Sequence, residues 1–157
     1  MTIICGRLRS YLEKEGVEFE TLHHAPDFTA QETAAHTGTR GRDFAKVVVL
    51  KIDGLPAMIV VPAHHRVDFA KLASELGAKD VELCGEEELR MIFEDCDVGA
   101  EPPFGNLYGL PVFLSRAMTD DVLITFNGGS HVDVIRMPFM DYVNLVRPRV
   151  IDCSTDR

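Results

Sequence analysis

Lys46 occupies the position in this sequence that is most suited to chemistry. The segment AKVVVLKI, residues 45–52, is rich in β-branched residues and typical of a strand, and its two-residue alternation places Lys46 on the same face as Val48 and Leu50. An ammonium group aligned with core residues is costly to bury without a partner. Lys46 therefore either extends past the strand end to solvent, which is the commoner outcome, or faces a cleft in which an anionic or carbonyl ligand satisfies it.

The chain around Lys46 is predicted to gather positive charge. Asp53-Gly54 separates residues 45–52 from a second apolar run at 55–62, and this dipeptide favours a two-residue type I′ hairpin turn. Counting back from that turn pairs Lys46 with Val61. The basic or ionisable residues that then lie near Lys46 are Arg40, Arg42, His64, His65 and Arg66. We expect them to form either a rim that meets phosphate or an ordinary solvated face.

The segment GAEPPFG, residues 99–105, predicts a stiff loop, which we call the proline loop. Pro102 and Pro103 fix the backbone and carry no amide hydrogen. The remaining amide donors are those of Gly99, Ala100, Glu101, Phe104 and Gly105. A stiff loop can present a few donors to a ligand with little reorganisation, but it can equally be a rigid surface corner. Phe104 either shields a site or anchors the loop in the core.

The segment NGGSH, residues 127–131, interrupts two predicted strands and is called the glycine loop below. Gly128 and Gly129 permit positive φ and a close approach of other backbone, and His131 adds an imidazole. Glycines are also common in turns that only connect strands, so a turn without further function is the alternative. The segment becomes a candidate site only where the fold brings Lys46 and the proline loop beside it.

The sequence lacks the motifs that are typical of several kinds of functional site. There is no G-x-G-x-x-G, no Walker-type glycine-lysine loop, no H-E-x-x-H and no G-x-S-x-G. The adjacent pairs His23-His24 and His64-His65 are poorly placed to chelate a metal if they lie on strands, because neighbouring strand side chains point to opposite faces. The four cysteines show no C-x-x-C or zinc-type spacing. We therefore predict neither a metal nor a cofactor.

Size and charge place further bounds on the function. The 157 residues, 46% of them hydrophobic, suit one domain over residues 1–157. The formal net charge of −9 argues against general affinity for nucleic acids or membrane surfaces, although residues 36–71 carry six basic against three acidic side chains. No apolar run is long enough to cross a bilayer, so no membrane partner is expected. The cysteine pattern and the lack of a signal sequence predict a reducing, cytoplasmic location.

The elements that must position these residues are a mixture of helices and strands. Hydrophobic periodicity and capping residues predict helices at residues 6–16, 29–38, 67–77, 86–94 and 138–145. Strands are predicted at residues 17–24, 45–52, 55–62, 80–84, 110–115, 121–127, 131–137 and 149–153. Because the strands look mostly antiparallel, this mixture indicates the α+β class.

Taken together, these segments resemble the YbaK/ProX family of aminoacyl-tRNA deacylases, which includes the editing domain inserted in bacterial prolyl-tRNA synthetases. The resemblance spans nearly the whole chain, and its carriers are FTAQETAAHTG, AKVVVLKIDGLPAMIVVPAHHRVDFAKLASELGAKDVEL, VGAEPPFG, GLPVFLS and ITFNGGSHVDVIRMPFMDYVNLV. It implies a curved, mixed and largely antiparallel β-sheet or open barrel surrounded by helices. It also implies hydrolysis of the ester that joins a wrong amino acid to tRNA.

The resemblance further implies a role for individual residues. The family's lysine, which falls on Lys46, is thought to engage the terminal adenosine's phosphate or the substrate carbonyl, while backbone amides of the two loops hold the aminoacyl ester. The implied catalytic residues are Lys46, Gly99, Gly128 and His131. The implied substrate-binding residues are Thr29, Arg66, Pro102, Pro103, Phe104, Gly105, Asn127 and Gly129. An ester is already activated, so positioning and oxyanion stabilisation can suffice without a strong base.

The leading hypothesis is therefore a trans-editing deacylase that clears a small amino acid, alanine or cysteine, from tRNA-Pro. The expected partners are the tRNA acceptor end, bound locally and weakly because of the negative net charge, and a synthetase or elongation factor that delivers the substrate. Two alternatives stay open. One is a non-catalytic module that binds an aminoacyl end or a synthetase, and the other is a hydrolase of small esters unrelated to tRNA.

Overall fold

The computed structural model describes residues 5–23, 43–119 and 122–156. The helices in these ranges are α1 (Gly6–Glu15), α2 (Phe69–Leu76), α3 (Glu86–Ile92) and α4 (Phe139–Val146). The strands are β1 (Glu20–His23), β2 (Ala45–Ile52), β3 (Leu55–Pro62), β4 (His65–Val67), β5 (Val81–Leu83), β6 (Val112–Ser115), β7 (Leu123–Asn127), β8 (Asp133–Pro138), β9 (Arg149–Ile151) and β10 (Ser154–Asp156). Short 3₁₀ turns at Gly105–Tyr108 and Arg116–Met118 flank β6.

Two of the described helices, α1 and α2, end where their capping glycines predict. α1 stops at Gly16 (φ +68°) and α2 at Gly77 (φ +63°), because glycine enters the left-handed region without the steric cost of a Cβ. α2 begins after Asp68, whose carboxylate accepts a hydrogen bond from the Lys71 amide at 3.0 Å. The predicted helix at residues 29–38 lies outside the described residues. Among the helices that are described, none has the length and apolar character needed to cross a bilayer.

The predicted hairpin forms from β2 and β3. Asp53 and Gly54 both have positive φ, at +50° and +86°, as a type I′ turn requires. The antiparallel register pairs Ile52 with Leu55 next to the turn and Lys46 with Val61 at the far end. The hairpin therefore fixes Lys46 at the end of the ladder, close to where the chain leaves β3 for β4.

The strands divide among three sheets. β5-β2-β3-β6-β9 is a mixed five-stranded sheet, in which β2 runs antiparallel to β3 and β5, whereas β6 runs parallel to β3 and β9. β1-β8-β7 is antiparallel, as is the pair β10-β4. These elements confirm the α+β class and the mixed, largely antiparallel pairing. In the described ranges the sheets are open, and a bridge between Phe44 and Thr125 connects the start of β2 to β7, so no closed barrel forms there.

The five-stranded sheet carries apolar side chains on both faces. On one face, Ala45 and Val49 of β2 join the larger core, which also contains Phe126 of β7. On the other face, Leu50 packs with Leu72 of α2 and Ile151 of β9. Alternation along β2 assigns Lys46 to this second face, as predicted.

Candidate functional site

The proline loop and the glycine loop are joined by backbone hydrogen bonds. The Gly129 amide donates to the Ala100 carbonyl at 3.1 Å, and the Gly129 carbonyl accepts from the Asp97 amide at 2.8 Å. The imidazole of His131 adds a third contact, since its Nε2 lies 2.8 Å from the Val98 carbonyl oxygen. The fold thus brings together two segments that the sequence places about thirty residues apart.

Close packing explains the glycines at this junction. Gly129 has φ +102°, and a Cβ built on it would lie 2.7 Å from the Cβ of Cys5. Gly99 has φ +90°, and its Cβ would lie 3.3 Å from the His131 ring. Only glycine adopts such dihedral angles without strain and leaves room for these neighbours. The two glycines therefore allow the loops to touch.

The proline loop is anchored in the core and is not an exposed corner. Phe104 is fully buried, and its ring centroid lies 5.5 Å from that of Phe126 and 5.3 Å from that of Tyr142. The Tyr142 hydroxyl also donates to the Pro103 carbonyl at 2.8 Å. Of the two roles considered for Phe104, the structure favours the anchor. Pro102, Pro103 and Gly105 are buried with it.

Several of the predicted amide donors are engaged within the two loops. The Gly99 amide donates to the Glu101 carboxylate at 2.9 Å, and the Ala100 amide donates to the Asp97 carbonyl at 3.0 Å. The Phe104 amide donates to the Pro102 carbonyl, and the Gly128 amide to the Asp133 carbonyl. These bonds fix the shape of the loops. An ester could bind to the same amides only if it replaced their present hydrogen-bond acceptors.

Lys46 lies at the end of β2 with a half-buried side chain. Its Nζ donates to the His65 carbonyl at 2.7 Å, which places Lys46 next to β4 as the hairpin register predicts. A parallel bridge between Phe44 and Thr125 joins the start of β2 to β7. The strand that bears Lys46 thus adjoins β7, which leads into the glycine loop, while alternation places the Lys46 side chain on the β2 face of Leu50.

The carbonyl that accepts from Lys46 belongs to a polar group on β4 and β10. His65 Nδ1 lies 2.8 Å from the Ser154 hydroxyl, which lies 2.7 Å from the buried Ser115 hydroxyl. Burial, and then the charge of His64, lower the pKa of His65 below its ordinary value, so the ring is neutral at pH 7. This network holds the backbone at His65 in place.

The two adjacent histidines do not lie on one strand, which corrects the basis of the sequence prediction. His64 lies in the turn that precedes β4, whereas His65 opens that strand. Their rings meet edge to face with centroids 4.5 Å apart, and one ligand atom from each falls within 4.8 Å of an Asp156 carboxylate oxygen. The expectation that the pair points to opposite faces is therefore wrong.

The predicted basic rim and substrate-binding set includes four further residues. Arg66 is exposed on β4 and pairs with Thr155 of β10. Thr29, Arg40 and Arg42 lie outside the described residues, so their predicted roles stay predictions. The structure thus joins the glycine loop, which begins at Asn127, to the proline loop, and it places the Lys46 ammonium against the His65 carbonyl.

Sequence reasoning missed two buried carboxylates that support the loops. Asp133 is fully buried, and its carboxylate accepts from the Ser130 hydroxyl at 2.6 Å. Glu101 is 5% exposed and accepts from the Gly99 amide. Serine and aspartate are common turn residues, but the burial of Glu101, which precedes the two prolines, has no local signature. Both carboxylates hold loop backbone.

We expect Glu101 to give the protein a pH-dependent stability. Burial raises the pKa of Glu101 above its ordinary value. At pH values between the ordinary pKa and the raised one, the unfolded chain has lost the proton while the folded chain retains it, so unfolding releases a proton and the free energy of unfolding falls as pH rises. Glu101→Gln keeps an oxygen for the Gly99 amide but lacks this titration. Urea unfolding across acidic to neutral pH should therefore show a shallower decline in Glu101→Gln.

Glu94→Gln is the matched control, because Glu94 is an exposed carboxylate in the same segment. Its stability should follow the pH profile of the unsubstituted protein. If the free energy of unfolding fell equally steeply with pH in the unsubstituted protein and in Glu101→Gln, the pH dependence would not come from Glu101.

Known proteins share both sequence and fold with this chain. Residues 24–145 match the aminoacyl-tRNA editing domain family. The proline--tRNA ligase of Staphylococcus aureus (strain Newman) is 34% identical over 74 residues, which cover 47% of this chain and 12% of the ligase. The matched segment is therefore a small part of that curated relative.

Solved structures at lower identity share the fold. A crystal structure described as a candidate trans-editing enzyme for prolyl tRNA synthetase has a TM-score of 0.81 at 22% identity and covers 95% of both chains. The hypothetical protein APE2540 has a TM-score of 0.83 at 19% identity, over 95% of this chain and 99% of its own. With most of its length matched by the family, this chain belongs to the aminoacyl-tRNA editing domain family.

Proposed function

We propose that this chain is a trans-acting deacylase that hydrolyses the ester of a small mischarged amino acid, of the alanine or cysteine type, on tRNA-Pro. The observation that carries the proposal is the contact between the glycine loop and the proline loop beside the strand that bears Lys46. Membership of the editing family supports the reaction class. The ligase relative and the solved structure described above support proline as the system involved.

In this proposal Lys46 supplies the positive charge. Its ammonium engages either the phosphate of the terminal adenosine or the ester carbonyl. In the second case it stabilises the oxyanion that forms when water attacks the carbonyl carbon. Collapse of that oxyanion breaks the ester bond and releases the amino acid and the tRNA hydroxyl. Positioning of the ester and the water supplies the rest of the rate enhancement, because the ester is already activated.

The two loops act as a rigid wall that positions the aminoacyl group. Asn127 Oδ1 is buried and has no hydrogen-bond partner among the described residues. A buried carbonyl oxygen without a donor is unfavourable by about 1–3 kcal/mol, so a donor from the substrate would relieve that cost. The α-ammonium of an aminoacyl ester is such a donor. We assign Asn127 to its recognition.

His131 is assigned an orienting role. Because the Val98 carbonyl only accepts, the imidazole donates to it from Nε2. The ring thereby ties the glycine loop to the start of the proline loop and sets the direction of Nδ1. We further assign His131 to binding or orienting the attacking water.

The tRNA contact is proposed to be confined to the acceptor end. The net charge of −9 opposes extensive phosphate contacts, since neutralising phosphates supplies much of the affinity for nucleic acids. Lys46 and the exposed Arg66 offer positive charge on β2 and β4. Weak intrinsic affinity follows, and delivery by a synthetase or an elongation factor would compensate for it.

Deacylation of a panel of charged tRNAs tests the function. The full chain is incubated with Ala-tRNA-Pro, Cys-tRNA-Pro and Pro-tRNA-Pro, and loss of the labelled amino acid is followed with time. We expect rapid loss of alanine or cysteine and retention of proline. Alanine ethyl ester is the control substrate without a nucleotide, and it should be hydrolysed far more slowly.

Each alternative predicts a different result from the same panel. Binding of intact aminoacyl-tRNA without turnover would indicate a non-catalytic module. Hydrolysis of the ethyl ester as fast as of the tRNA ester would indicate a general small-ester hydrolase. Either outcome would overturn the proposed function.

A further inference from the structure

A cluster of sulfur and oxygen atoms lies beside the glycine loop and takes no part in the proposed reaction. Cys5 immediately precedes α1, whereas Asp95 and Cys96 follow α3. The fold brings one ligand atom of each of these residues within 4.8 Å of the others. Because Cys5 and Asp95 are 90 residues apart, no spacing motif in the sequence reveals the cluster.

The Asp95 carboxylate lies between the two sulfur atoms. Its Oδ2 is 2.6 Å from Cys5 Sγ, and its Oδ1 is 3.6 Å from Cys96 Sγ. The Tyr108 hydroxyl donates to the same Oδ1 at 2.8 Å. The same hydroxyl lies 3.2 Å from Cys5 Sγ and 3.3 Å from Cys96 Sγ, so two soft donors and one hard donor surround it, and it orients the carboxylate.

We propose that Cys5, Asp95 and Cys96 bind one thiophilic divalent cation of the zinc class. Thiolate sulfur together with a carboxylate oxygen is a donor set that zinc accepts. Zinc lies about 2.3 Å from sulfur and about 2.0–2.2 Å from carboxylate oxygen, so tetrahedral ligand atoms are separated by roughly 3.5–3.8 Å. Binding requires Cys5 Sγ and Asp95 Oδ2 to move apart by about 1 Å, which side-chain rotation can provide.

The surroundings of the cluster suit an ion. Asp95 is exposed and Cys96 is half-buried, so a cation can enter and a water molecule can complete the coordination, while Cys5 lies on the buried side. The Arg7 guanidinium lies 4.7 Å from the centroid of the Tyr108 ring and offsets part of the charge of three anionic ligands. The Tyr108 hydroxyl is the outer-shell donor that fixes the carboxylate.

The ion would connect the start of α1 to the segment that leads into the proline loop. The Cys5 amide donates to the Gly128 carbonyl at 2.7 Å, and the Asp97 amide donates to the Gly129 carbonyl at 2.8 Å. Both ends of the cross-link thus hold the glycine loop. The role of the ion is structural, and its binding is independent of whether the chain hydrolyses an aminoacyl ester.

Cobalt binding tests the site without any measurement of activity. The full chain is kept reduced with a phosphine and titrated with Co²⁺, a spectroscopic substitute for Zn²⁺. We expect a near-ultraviolet thiolate-to-cobalt charge-transfer band that saturates at one cobalt per chain and disappears when Zn²⁺ is added. The band reports thiolate ligands only, so binding at the His64, His65 and Asp156 group would not produce it.

Substitutions assign the ligands. Cys96→Ser should abolish the charge-transfer band, and because Cys96 is half-buried this variant is preferred to one at the buried Cys5. Tyr108→Phe should weaken cobalt binding by about 10–100-fold through loss of the outer-shell bond. Cys84→Ser is the matched control, since Cys84 lies outside the cluster, and it should retain the band. Circular dichroism confirms that each variant is folded.

Two results would overturn the proposal. One is the lack of a charge-transfer band in the reduced, unsubstituted protein. The other is a folded Cys96→Ser variant that binds cobalt with the band and the affinity of the unsubstituted protein.

Discussion

Lys46→Ala should lower the rate of deacylation of mischarged tRNA by about 10²–10³-fold, the usual cost of removing one donor to a developing oxyanion. Lys46 is the second residue of β2, and its ammonium donates to the His65 carbonyl. Alanine removes the charge and keeps the strand. The measurement is single-turnover release of the amino acid from the most active charged tRNA of the panel, with folding checked by urea unfolding.

Lys51→Ala is the matched control for Lys46→Ala. Lys51 lies on the same strand but on the opposite face, where its Nζ is 3.0 Å from Glu88 and 3.6 Å from Glu82. The variant loses the same charge from the same strand without touching the site, so its deacylation rate should be close to that of the unsubstituted protein. Equal activity of Lys46→Ala and Lys51→Ala would remove Lys46 from the mechanism.

A comparison of binding and rate separates the two roles proposed for Lys46. A phosphate contact made equally in the ground state and the transition state raises KM in Lys46→Ala with little change in kcat. A contact to the oxyanion alone lowers kcat. Lys46→Arg keeps the charge but changes its shape and position. It should therefore recover more activity if Lys46 contacts the phosphate than if Lys46 contacts the ester carbonyl.

The sequence predicted the hairpin and the ends of the helices because these depend on local chemistry. Asp53-Gly54 tolerates the two positive φ values of a type I′ turn, and that turn alone fixes the pairing of Lys46 with Val61. Gly16 and Gly77 end helices for the same local reason. The division of the strands among three sheets was not predicted, because it depends on contacts such as the bridge from Phe44 to Thr125.

The candidate site was predicted only in part. The features that were not predicted depend, like the division into sheets, on contacts between residues far apart in the sequence. Resemblance to the editing family selected the proline loop and the glycine loop, which the structure joins. The burial of Phe104, by contrast, depends on Phe126 and Tyr142, which stand more than twenty residues away. The hydrogen bond from the Gly99 amide to the Glu101 carboxylate depends on how Glu101 is buried. Neither feature is visible in the spacing of residues 99–105.

Gly129→Ala should destabilise the protein by roughly 2–5 kcal/mol. Left-handed or similar positive φ costs an alanine about 1–2 kcal/mol. A methyl group forced into a packed site costs about 1–3 kcal/mol more. At Gly129 both costs apply, because φ is +102° and the new Cβ would lie 2.7 Å from the Cβ of Cys5 and 3.2 Å from its amide nitrogen. Neither atom belongs to the flexible end of a side chain, so the backbone itself must shift.

Gly77→Ala separates the two causes of that destabilisation. Gly77 has φ +63° at the end of α2, and a Cβ there meets nothing within 4 Å, so only the dihedral cost of about 1–2 kcal/mol applies. Urea unfolding of both variants gives the difference, which measures the steric term. Equal losses would mean that the loops yield to the methyl group and that the contact between Cys5 and the glycine loop is loose. A larger loss of stability in Gly129→Ala, together with slower deacylation by the folded fraction, would mean that the proposed reaction needs this close approach of the two backbones.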